Sequence, residues 1–285
     1  MAELVRAAST LAPVFVDYSV PGPLTDLTGF DELVSSSLSD PVGICAQVAG
    51  LVIEPDDALA AGVAAERTEE RQLRPARAIV SRLLEMRREP LSVQRPADQR
   101  VVGTCRHFAV LACALLRHQG VASRVRCGFA TYFQPGCGVD HWIVEYRAQR
   151  RWVRTDPEVL GGTVIDHAQD LRADDFLSGA EAWRAHRAGR INPDRFGVYG
   201  TENWGVGEIR GNLVKDLAAL NKLEMLPWDE WGEMEAGYDD TAGPAYDALL
   251  DRCAESVAED DPGAIVQLAT LPELHVPDTL VSATL

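Results

Sequence analysis

Three residues of this chain, Cys105, His141 and Asp156, have the types and placement that covalent acyl chemistry needs. A thiol attacks a carbonyl as the thiolate, and an ordinary cysteine with a pKa near ~8.5 is mostly protonated at neutral pH, so a nucleophilic cysteine requires local help. Cys105 has a source of it. Thr104 can cap a helix that starts at Cys105, carries Phe108, Leu111, Ala112, Leu115 and Leu116 on one face, and stops at Gly120. The unpaired N–H groups of that first turn favour an anion, and the N–H of Cys105 can receive the oxyanion of a tetrahedral intermediate.

His141 opens a strand-like run and Asp156 ends the next one. If the runs 141–147 and 151–156 are joined by a turn centred between Ala148 and Gln149, opposed residue numbers add to 297, which sets His141 directly across from Asp156. The carboxylate would then fix the imidazole tautomer and stabilise its charged form. Each residue alone has an ordinary explanation: a core thiol, a packed histidine, a turn aspartate. Together they are the nucleophile, base and orienting acid of one site.

The elements that must position these residues can be read around them. Apolar residues Ala76, Ile79, Val80, Leu83 and Leu84 recur at helical spacing over 76–86, ahead of Pro90 and Pro96. The Cys105 helix follows, then strands over Ser123–Phe133, His141–Arg147 and Arg151–Asp156. A short helix is expected near 57–66 and a longer one near Asn212–Met225, with Leu213, Leu217 and Leu220 inward. This divides the chain into an N-terminal extension (1–70), a catalytic core (71–160) and a loop-rich, then helical, acidic region (161–285). In the last, Tyr199, Trp204, Trp228 and Trp231 are candidate walls of a substrate pocket, and Tyr199 and Trp204 are carried as substrate-binding residues. The glycines of 205–211 lack the strand-to-helix setting of a phosphate loop.

At 285 residues and 46% hydrophobic content the chain can bury a substantial core. The six cysteines show neither CxxC nor zinc-site spacing, so no metal or cofactor is expected. Cys113 and Cys127 read as core thiols, His107 as a packed or exposed histidine, and Arg124 as half of an ion pair, with an acidic substrate as its alternative partner. The net charge is −16, and residues 211–285 hold 16 acidic side chains against Lys215, Lys222 and Arg252. That balance speaks against nucleic acid or an anionic membrane as partner. The start of the chain has no signal-like apolar run and no segment approaches a membrane span, so a cytoplasmic protein is expected.

The run GTCRHFAVLACALLRHQGVASRVRCGFATYF, then DHWIVEY, then RWVRTDPE, resembles the transglutaminase-like superfamily over about residues 75–160. The resemblance implies an α+β, papain-like core in which a central helix carrying the cysteine packs on an antiparallel sheet. It carries Cys105, His141 and Asp156 over as the triad. By the same comparison Gln99 stands at the interval of the oxyanion glutamine in papain-like proteases. Trp142 replaces the family's usual small residue, which would reshape the acyl-binding slot. The implied activity is transfer of an acyl group from an amide, ester or thioester, through a thioester on Cys105, to an amine. The donor would be a small molecule or a peptide. Hydrolysis of amide bonds by the same triad, and a non-catalytic binding role, are the alternatives.

Overall fold

A computed structural model describes residues 16–34 and 40–282; the start of the chain up to position 15, on which the expectation about a signal rests, lies outside the described residues. The N-terminal part supplies α1 (Asp31–Val34), α2 (Pro41–Val48), the short strand β1 (Val52–Ile53) and α3 (Pro55–Ala60). After α4 (Ala76–Met86), strand β2 (Val101–Val102) pairs parallel with β1, Val52 beside Val101 and Ile53 beside Val102. The ladder is closed by Gly103 N–H donating to Ile53 O at 3.0 Å. Two segments about fifty residues apart in sequence are thereby held side by side immediately before Glu54 and Cys105.

Helix α5 (Cys105–His118) has Thr104 at its N-cap. The Thr104 N–H donates to His107 Nδ1 at 3.1 Å, a capping box with histidine in place of the usual glutamate. His107 is therefore a buried helix cap. Its ring folds back over Gly103, where a Cβ would come within 2.7 Å of His107 Cγ. This close approach is the physical reason for glycine two residues before the cysteine. Gly120 takes φ 73° just past the helix end, as its C-terminal signal predicts.

Strands β3 (Ser123–Ala130), β4 (Gly138–Ala148), β5 (Arg151–Thr155) and β6 (Phe176–Ser178) form an antiparallel sheet ordered β5-β4-β3-β6. Strand β7 (Phe196–Gly197) follows α6 (Gly179–Arg187) and runs parallel to the start of β4. One sheet face, with Val125, Cys127, Trp142, Val144, Tyr146 and Val153, buries against α5 and against Leu27, Ile44, Val48 and Leu51 from the N-terminal part. Leu27, Ile44, Val48 and Leu51 thus share the apolar core of the helix that carries Cys105.

The other face is polar and covered by α7 (Val206–Leu220) and its neighbours. Glu145, 2% exposed, receives Arg124 at 2.7 Å, Arg126 at 3.1 Å and Arg154 at 3.1 Å, while Arg126 also pairs with Asp216 of α7 at 2.8 Å. Arg124 is in fact a structural ion-pair residue. Helices α8 (Met234–Tyr238), α9 (Gly243–Ala258) and α10 (Pro262–Leu268), with the terminal α11 (Asp278–Ser282), build a second apolar cluster around Trp183, Leu213, Leu217 and Leu250. The glycines at 207 and 211 leave room for Tyr238 to lie against α7, a packing role with no phosphate cradle. The fold is α+β, with a helix bearing the cysteine laid on an antiparallel sheet.

Candidate active site

Cys105 sits at the first position of α5, partly exposed, while the other five cysteines are buried. His141 lies on β4 and Asp156 one residue beyond β5. A ring nitrogen of His141, the Cys105 sulfur and a Glu158 carboxylate oxygen all lie within 4.8 Å of one another. His141 Nε2 stands 2.8 Å from Asp156 Oδ2, which leaves Nδ1 as the ring nitrogen free to serve the thiol.

The route to this contact differs from the expected one. The β4–β5 ladder pairs Val144 with Thr155 and Ala148 with Arg151, so opposed numbers add to 299 and the turn is Gln149–Arg150. Gln149 takes φ 54°, a conformation usually given to glycine or asparagine, so the residue types here point to a turn one residue earlier than the one the chain makes. Carried past the strand end, this register sets position 158 across from His141 and position 156 across from Ile143. His141 and Asp156 are diagonal neighbours. The correction preserves the contact because a two-residue shift keeps every side chain on its own face. Pro157, with no N–H to donate, ends the pairing.

Asp156 is fully buried and held on several sides. Its Oδ2 also accepts from Tyr132 Oη at 2.5 Å, its Oδ1 accepts from the Glu158 N–H at 2.9 Å, and its own N–H donates to Ala168 O. Burial opposes its charge, yet the His141 cation and these hydrogen bonds keep the carboxyl below its usual range. His141 is likewise buried, which alone would lower its pKa, but Asp156, Glu158 and Asp140 raise it to about 9. The Phe133 ring packs edge-on against the imidazole at 4.9 Å.

The thiol feels opposing influences. Burial pushes it up, and so do the charges of Glu158, Asp140 and Glu54, while the backbone N–H of Trp142 reaches the sulfur and favours the anion. Glu158 is itself raised to about 7 by burial and by Asp156, and Glu54 to about 8 by burial and by Glu158. Cys105, His141, Glu158 and Glu54 therefore titrate as a linked group. Glu54 arrives by the β1–β2 pairing, and Glu158 by the register of the β4–β5 hairpin.

The remaining expected site residues are dispersed. The Gln99 amide accepts from Arg87 at 3.3 Å and is not joined to the triad by any hydrogen bond among the described residues. The Trp142 side chain is 0% exposed and packs on the α5 side of the sheet, so only its backbone serves the site. Tyr199 is 71% exposed and Trp231 is a core residue whose indole donates to Leu274 O at 3.0 Å. Trp204 and Trp228 do line a cavity of about 490 Å³ whose wall includes Asp140, the residue before His141. Tyr132, Asp140, Glu158 and Glu54 were not singled out from the sequence.

Thiol, imidazole and carboxylate are also ligand types for zinc, and a divalent cation among these three would occupy the nucleophile. Without one, they constitute a thiol beside an imidazole whose second nitrogen is fixed by a carboxylate, the arrangement for nucleophilic catalysis.

Residues 57–157, a stretch containing Cys105, His141 and Asp156, match the family model of the transglutaminase-like superfamily. The chain carries a transglutaminase-like core. No curated protein sequence matches it. Among solved structures it is similar to a Cytophaga hutchinsonii protein provisionally named a cysteine protease, at 14% identity and a TM-score of 0.36, covering 56% of this chain and 44% of the other. The chain thus spans less than half the length of that protein. The matched stretch begins within α3, the helix that follows Glu54.

Proposed function

We propose that the protein is a cysteine acyltransferase that takes an acyl group from an amide, ester or thioester onto Cys105 and passes it to an amine. The observation that carries this reading is the cavity whose wall includes Asp140, the residue that precedes His141 on β4. Its lining holds five carboxylates, Asp140, Glu202, Glu208, Glu230 and Asp239, against one cation, Lys215. Lys215 is already engaged by Pro227 O and by Tyr238 Oη at 2.9 Å. Trp204 and Trp228 stand in the same wall. Acidic groups and indole faces together favour a cationic guest, as an ammonium-bearing acceptor is at neutral pH.

In this mechanism the Cys105 thiolate attacks the donor carbonyl, and the oxyanion is received by the N–H groups at the start of α5. His141, as imidazolium, gives its proton to the leaving group. Asp156 keeps the imidazole oriented through both halves of the cycle. The thioester is then resolved by the amine, or by water in a hydrolase.

The test uses p-nitrophenyl acetate as an activated donor with cadaverine as acceptor. An acetyl group located on Cys105 by mass spectrometry, and N-acetylcadaverine in excess of acetate, are the expected results. Acetate alone at every cadaverine concentration would make the protein a hydrolase, and an unacetylated Cys105 would remove the acyl-enzyme reading altogether.

A further inference from the structure

The carboxylate of Glu158 is left over when the triad is assembled. Its backbone N–H serves Asp156, but its side chain does not orient the imidazole, since that role belongs to Asp156. Its Oε2 is buried with no hydrogen-bond partner among the described residues, although a carboxylate oxygen withdrawn from water ordinarily has one. A carboxylate oxygen of Glu158 also lies within 4.8 Å of both the Cys105 sulfur and a His141 ring nitrogen. A carboxylate group at that distance from the reacting sulfur, with one of its oxygens unsatisfied, is placed to meet an N–H of whatever approaches the thioester.

We infer that Glu158 is a catalytic base for the second half-reaction, binding the ammonium of the acceptor and taking its first proton. The inference rests on the acyl-transfer reading above. The proton count closes. The ammonium gives one proton to Glu158, the free amine attacks the thioester carbon, and the second N–H proton passes to His141, which is neutral after acylation. The C–N bond forms, the C–S bond breaks, and the products are the amide and a Cys105 thiolate beside an imidazolium. Glu158 then returns its proton to water. Glu158 is suited to the task because burial and Asp156 hold its pKa near about 7, where a base is both available and strong enough at neutral pH. Asp57, whose charge raises Glu158 further, is the tuning residue.

The experiment follows acetyl-enzyme formation and decay in the full chain, with p-nitrophenyl acetate as donor. Glu158→Gln is expected to retain a p-nitrophenolate burst, displaced to lower pH, but to lose about 10²-fold in the rate of resolution by cadaverine. Hydroxylamine, which is largely uncharged at neutral pH and has no ammonium proton to shed, should resolve the variant's acetyl-enzyme nearly as fast as wild type. Asp57→Asn provides a second test that needs no change at position 158: by removing a neighbouring negative charge it should move the pH dependence of cadaverine resolution to lower pH. Equal losses with cadaverine and hydroxylamine, or no loss with cadaverine, would overturn the assignment. A missing burst in wild type would instead sink the acyl-transfer reading and this inference with it.

Discussion

His141 Nε2 and Asp156 Oδ2 are 2.8 Å apart across a diagonal of the β4–β5 hairpin, where Asp156 is fully buried. A buried carboxylate in that position holds the imidazole both in orientation and in charge. Asp156→Asn keeps the shape and removes the charge. The His141 titration, followed by NMR, should fall well below its present value near about 9, and acetylation of Cys105 should slow by roughly 10²–10⁴-fold. An imidazole that titrates as in wild type would contradict this.

Tyr132 tests the same relationship from behind. Its hydroxyl donates to the Asp156 oxygen that also receives His141. Hydrogen bonds to charged acceptors contribute about 1.5–3 kcal/mol, so Tyr132→Phe should slow acetylation by roughly 10- to 10²-fold. The expected signature is a slower burst with cadaverine partitioning unchanged. Altered partitioning would mean that Tyr132 acts on the acceptor instead.

The charge of Glu158 raises both the Cys105 thiol and the His141 imidazole. Its removal in Glu158→Gln should therefore move the pH profile of Cys105 alkylation to lower pH, even while acceptor chemistry suffers. Site-resolved iodoacetamide kinetics between pH 5 and 10 would check the direction. A shift to higher pH would show that Glu158 stabilises the thiolate.

Stability should decline in acid by two separable routes. His107, buried beneath the start of α5, is lowered to about 3 by burial and by Arg106. A histidine with a depressed folded pKa contributes stability that is full above its unfolded value near ~6.5 and is lost progressively as pH falls toward the folded value. Glu145, whose burial is outweighed by Arg126, Arg124 and Arg154, is held below its usual range, so its share is lost at still lower pH. Glu145→Gln leaves buried Arg124 and Arg126, and half-buried Arg154, short of one carboxylate and should cost about 3–5 kcal/mol at neutral pH by urea unfolding. His107→Gln should flatten the stability profile between pH 6.5 and 4. A profile with wild-type slope there would show that His107 does not carry the effect.

Much of this site is legible in the chain itself. Thr104 and Gly120 bracket α5, and the three strands around His141 and Asp156 have alternations strong enough to place both residues on one face. The hairpin register is not legible, because Gln149 adopts a positive φ that its side chain does not advertise. Trp142 is a different matter: adjacent strand residues face opposite sides, so a histidine directed into the site already commits its neighbour to the core. Glu54 is out of reach of local reasoning. It is delivered by a ladder of two-residue strands with no periodicity to detect. Glu158 becomes visible only once the register is known, since it is the position across from His141.

The central claim is that His141 activates Cys105, and the most direct measurement is the pH dependence of iodoacetamide labelling at Cys105 in wild type and in His141→Ala. Partial exposure alone would make Cys105 label faster than the five buried thiols in both proteins, so the comparison between the two proteins decides the matter. The account predicts that loss of the imidazolium moves the Cys105 profile to higher pH and slows labelling near neutrality by at least about tenfold, the effect of withdrawing a neighbouring positive charge from a thiolate. Superimposable profiles would contradict it, leaving a half-exposed thiol at a helix start with no partner in catalysis.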